Sequence, residues 1–180
     1  FVSSQFLSDA IFVETNFGGV TKFMASQFNR DAEFNKTRFE KETSFEGAKF
    51  SGCAQFSGPV FNSSIDLNSV QFGKEVRFDQ AQFNGPAFFA KAEFDDLVEF
   101  NDCNFLKNTT FKESDFKIDA TFNNTSFFEP ADFSGSNFIG FADFGGSKFA
   151  LDADFSNASF HGPADFSRSA FSERVNFYDT

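Results

Sequence analysis

Histidine occurs once, at His161, and cysteine twice, at Cys53 and Cys103. A lone histidine with no thiol, hydroxyl or carboxylate constellation around it supplies neither a catalytic relay nor the paired spacing of a zinc site. Two cysteines give no disulfide framework and say nothing of the redox compartment. No nucleophile elbow or phosphate-binding glycine loop occurs either. The expectation is a chain without catalytic residues, metal or cofactor. Long apolar runs are missing too: nothing approaches the ~20 residues that a helix needs to cross a bilayer. Basic residues are outnumbered, 15 Lys+Arg against 26 Asp+Glu, for a net charge of −11. That balance argues against direct binding to nucleic acid or an anionic membrane, both of which require Lys/Arg patches. The deficit is uneven, with residues 1–60 near neutral and residues 129–180 strongly acidic.

What the chain has instead is phenylalanine, 35 of 180 residues, set on a ruler. One comb starts at Phe1 and recurs every eleven residues through Phe12, Phe23 and Phe34 to Phe177. A second, offset by five, runs from Phe6 through Phe17 and Phe28 to Phe171. Only one comb position is not Phe, and Leu67 fills it; Phe88, Phe128 and Phe141 alone lie off register. Two residues before each comb Phe stands a small or β-branched residue, such as Ala10, Thr21, Ala32, Ser26, Thr37 or Cys103. Positions i−2 and i share one face of an extended segment, so small and large side chains point inward together and the residues between face water.

A period this regular predicts a solenoid in which each repeat buries its apolar face against its neighbours. Steps of five and six do not follow the three-and-four spacing of a helical stripe, so the eleven-residue period does not signal a helical supercoil. The whole length, 1–180, reads as a single domain. The chain begins at Phe1 without Met, and no capping sequence precedes Phe1 or follows Phe177. We therefore expect a segment of a longer protein, with localisation unassigned.

The unit [Ala/Thr/Val]-x-Phe-x-x-[Ser/Ala/Thr]-x-Phe resembles the pentapeptide-repeat family, best at Ala131-Asp132-Phe133, Ala142-Asp143-Phe144, Ala153-Asp154-Phe155 and Ala164-Asp165-Phe166. The resemblance covers the entire chain. It implies an all-β fold, a right-handed quadrilateral β-helix of four five-residue sides. This chain departs by adding one residue after every second unit. Two eleven-residue units then make a coil of about 22 residues, and about eight coils at ~4.8 Å each give a rod of ~40 Å. An 11-residue coil is the competing geometry. The extra residue falls near Gly19, Gly52, Gly85, Gly140 and Gly162, and near Pro86, Pro130 and Pro163, where sharp backbone turns are expected.

Two surfaces stand out on such a rod. Counted by 22, Leu106, Phe128 and Ala150 stack outside, with Leu151 beside the last. Leu97 and Phe141 share another column. An apolar outer column suggests protein docking, although isolated exposed hydrophobes are ordinary. Asp132, Asp143, Asp154 and Asp165 would form two acidic columns on opposite faces. They either imitate a row of phosphates or simply keep the rod soluble, and one carboxylate per coil is too few for calcium. The expected function is a non-enzymatic structural or docking rod that meets a protein partner or another copy through its side faces or ends. The resemblance implies an alternative, an acidic DNA mimic that engages a DNA topoisomerase such as gyrase. Six Asn-x-Ser/Thr sequons follow from the repeat itself, and no glycosylation is inferred. The inward position of Thr21, Thr43 and Thr109 excludes an ice-binding threonine array.

Overall fold

The computed structural model describes residues 1–180. The chain winds as a four-sided coil, and each side contributes one two-residue strand per turn. There are thirty-two strands, from β1 (Gln5–Phe6) to β32 (Val175–Asn176). They assemble into four parallel sheets of eight strands. Every pairing joins residues 22 apart, as in Gln5↔Gln27, Ala10↔Ala32, Asn16↔Arg38 and Thr21↔Thr43. The coil therefore holds 22 residues, and the 11-residue alternative is excluded. We number the faces I to IV in chain order, beginning with Gln5–Phe6, Ala10–Ile11, Asn16–Phe17 and Thr21–Lys22.

The inward comb builds the core. Each Phe stacks on its equivalent one coil away, with ring centroids 4.4 Å apart for Phe28–Phe50 and 4.8 Å for Phe78–Phe100. Rings on faces II and IV also meet edge to face across the axis, as in Phe89–Phe100 at 5.4 Å and 89°. Offset stacks and edge contacts are both favoured by the ring quadrupole, beyond the area that each ring buries. The small column before the Phe residues of faces I and III carries polar atoms inside, and each has a partner. Thr37 Oγ1 donates to the Phe12 carbonyl at 2.8 Å, Ser114 Oγ to that of Phe89 at 2.6 Å, and Ser136 Oγ to that of Phe111 at 2.7 Å. Cys103 follows the same rule, with Sγ 3.0 Å from the Phe78 carbonyl. Both cysteines are free.

The corners come in two kinds, and their chemistry differs from the sequence expectation. At the five-residue corner, the second residue after the Phe adopts a left-handed backbone in every case. Four are glycines, and thirteen are other residues, among them Glu14, Lys36, Gln80 and Asn124. The enlarged six-residue corner shows no positive φ. Its glycines answer a different constraint, close approach to the coil below. A Cβ on Gly85 would lie 2.4 Å from the Ser63 carbonyl carbon, and one on Gly52 2.5 Å from that of Arg30. Gly18 and Gly19 are the exceptions and have open space around them.

Candidate interaction surface

The core has no room for a reactant, so function must lie on the outside. Outward columns are fixed by the sheet register, one residue per coil. Along the corner between faces III and IV runs the column Glu40, Asn62, Asn84, Leu106, Phe128, Ala150. Its lower half is a hydrogen-bonded ladder: Asn62 Nδ2 donates to Glu40 Oε2 at 2.7 Å, and Asn84 Nδ2 to Asn62 Oδ1 at 2.8 Å. The Asn62 amide, followed by Arg38, holds the Glu40 carboxyl below the usual carboxylate range. At Leu106 the column turns apolar. The amides of Leu106, Phe128 and Ala150 donate at 2.9 Å to Phe83, Phe105 and Phe127, which places these three residues one above another. Phe128 is 50% exposed and Leu151, beside Ala150, 38%. A shallow groove next to Phe128 is floored by Ala150, Ala170 and Ser172 and edged by Lys148.

The opposite corner, between faces I and II, carries a second apolar strip at the same height. Leu97 and Phe141 lie in its column, half-buried, and Ile118 and Ile139 beside them are exposed. Sequence reasoning missed both isoleucines, and it missed Val2, Leu7, Ile11, Val13 and Val20, which point outward around the first coil and are exposed. Their signal was present: each occupies a column that is mostly polar in later coils, as Ile11 does below Glu33, Gln55 and Arg77.

The four aspartates form two columns on opposite faces. Asp132 pairs in register with Asp154 on face IV, and Asp143 with Asp165 on face II. Each carboxylate accepts the amide two residues on: Ser134 at 2.8 Å, Gly145 at 2.8 Å, Ser156 at 2.8 Å and Ser167 at 2.6 Å. The two Ser167 donors hold the Asp165 carboxyl below its ordinary range, the backbone amide most of all. These side chains pin their own turns. Each column is only two carboxylates deep, because Thr110 and Asn176 flank the first and Thr121 lies below the second. No group of three or more His, Cys, Asp or Glu converges as a metal site. His161 sits exposed at the face I–II corner with no partner of that kind.

Elsewhere, charges are matched as rungs between coils: Lys36–Glu14 at 3.3 Å, Lys117–Asp95 at 2.7 Å, Lys91–Glu113 at 3.6 Å and Arg174–Asp152 at 3.0 Å. Around the Phe128 groove, Lys107, Lys148, Glu129 and Glu173 take part in no such pair.

The family described as "Pentapeptide repeats (9 copies)" matches residues 1–49, 45–93, 89–137, 100–148 and 144–180. Among solved structures, the chain is similar to a trypsin-treated variant of QnrB1, described as a plasmid-mediated fluoroquinolone resistance protein. The identity is 14%, the match covers 97% of this chain and 92% of that one, and the TM-score is 0.25. No curated protein matches.

Proposed function

Because the chain belongs to the pentapeptide-repeat family, we propose that it works as a non-enzymatic rod that docks proteins through its side edges. The observation that carries this reading is the change along the face III–IV corner. A closed ladder from Glu40 to Asn84 gives way to Leu106, Phe128, Ala150 and Leu151, which project into water with no partner in the rod. Leaving a ring half in water on a rod that packs most of its aromatics inside is what a docking edge requires. The strip at Leu97, Ile118, Ile139 and Phe141 gives the rod a second edge, so it has the form of a spacer between two partners. The rigidity of stacked coils suits that task.

The test is a photo-crosslinking side chain placed at residue 128 and, as a control, at Gln55, an outward position on face II. Protein adducts formed at 128 and not at 55 support the reading. Equal labelling at both, or none at either, removes it. The DNA-mimic reading has the −11 net charge in its favour. Against it, the aspartate columns are short and one oxygen of each carboxylate already accepts a turn amide. Protection or inhibition of gyrase supercoiling by the purified rod would revive that reading.

A further inference from the structure

We propose that the partner of the Phe128 edge is a second copy of this chain, laid alongside in the antiparallel sense. The inference rests on the docking reading of that edge and names its occupant. The edge is complementary to itself. It has a knob, the exposed Phe128 ring, and directly above it a hollow floored by Ala150, Ala170 and Ser172. A two-fold axis lying in the interface, perpendicular to both rods and midway between the coils of Phe128 and Ala150, exchanges these heights. Each Phe128 then enters the partner copy's hollow beside Ala150. A surface that meets itself in this way makes a closed, isologous contact, and association stops at two.

The charges agree with the same axis. It sets Lys107 opposite Glu173 of the second copy, twice in the dimer, and Leu106 opposite Ser172. Within one rod, Lys107 and Glu173 are three coils apart and neither has an ionic partner, whereas Arg174 and Asp152 on the same corner are paired as a rung. Glu129 falls opposite Leu151, and Lys148 opposite Ser126, so no like charges face each other at this corner. Two parallel rods would place Phe128 against the second copy's Phe128 and keep Lys107 three coils away from its Glu173, which forfeits both features. Such a corner contact belongs to the small, weak class of interfaces, so the equilibrium is concentration-dependent.

Sedimentation velocity over the low- to high-micromolar range, at low salt, tests this. The expected result is a reversible monomer–dimer equilibrium. Phe128→Asp should weaken the dimer about tenfold or more while circular dichroism stays unchanged, since the side chain lies outside the core. Lys107→Glu should weaken it about tenfold through two like-charge contacts, and Lys107→Glu combined with Glu173→Lys should restore it. A rod that stays monomeric throughout overturns the proposal, as does a dimer indifferent to Lys107→Glu or not rescued by the exchange. A monomeric rod that still crosslinks other proteins at residue 128 also overturns the dimer, and leaves the docking edge standing.

Discussion

Leu67 is the one comb position without a ring, and its neighbours answer it. Ile65 and Val70 occupy columns that elsewhere hold mostly Ala, Thr or Ser, and all three residues are fully buried. The smaller side chain is offset by larger ones in the same coil, so volume is conserved as dense packing demands. Leu67→Phe alone should therefore overpack and cost about 1–3 kcal/mol. Adding Ile65→Ala and Val70→Ser should recover most of that loss in urea unfolding, and no recovery would refute the compensation. Asp79 poses a different problem. Burial raises its carboxyl above the usual range, opposed first by the Asn101 amide at 3.1 Å. A raised folded pKa means that the folded chain holds the proton more tightly than the unfolded one. The ionised group then costs stability, and the cost fades as pH falls through its folded pKa. Asn does the same job nearby, where Asn101 Oδ1 accepts the Asn123 amide at 3.0 Å. Asp79→Asn should raise Tm at neutral pH, with a gain that shrinks towards about pH 4. Calorimetry showing an equal gain at both pH values would count against this cause.

The two corners make different demands on glycine at the scale of the element. The five-residue corner needs a left-handed residue, and most of these positions are filled by non-glycine side chains facing open solvent. Gly58 has nothing nearer than Lys36 Cγ at 3.8 Å, so Gly58→Ala should cost only about 1 kcal/mol from the strained φ. The six-residue corner needs close packing of backbone on backbone. Gly85→Ala should cost more, about 1–3 kcal/mol, because the Ser63 carbonyl cannot move aside like a side chain. Chemical denaturation of the two variants checks the order, and the reverse order would sink the distinction. The corner positions were legible in the sequence, because the extra residue marks them. The reason for glycine there was not, since the distance to the coil below exists only once the coil has closed.

The whole molecule is a stack whose units touch only their neighbours, wrapped in an acidic surface. Its ion pairs lie at the surface, many of them as rungs between coils, and such pairs contribute little each. A net charge of −11 on a 20.1 kDa rod leaves repulsion that the rungs do not cancel. Salt should screen that repulsion, with a Debye length of about 10 Å at 0.1 M. Tm should therefore rise from low to moderate ionic strength, as followed by thermal unfolding. A fall would mean that the rungs outweigh the net charge. The same salt should loosen the Lys107–Glu173 contacts of the dimer, so stability and association should respond in opposite directions.

By itself, the sequence determined the solenoid, its all-β class and the inward comb. It did so because one spacing repeats for the full length and side-chain direction alternates along extended backbone. Leu106, Phe128 and Ala150 could be stacked by counting once a coil of 22 was assumed. Only the tertiary structure decided the coil of 22 rather than 11, since nothing local in an eleven-residue unit says whether it pairs with its first or second successor. It alone showed that Asp132, Asp143, Asp154 and Asp165 are bound into their own turns. It alone showed the hollow beside Phe128, because a hollow is formed by residues 22 and 42 positions apart, which meet only when the coils stack.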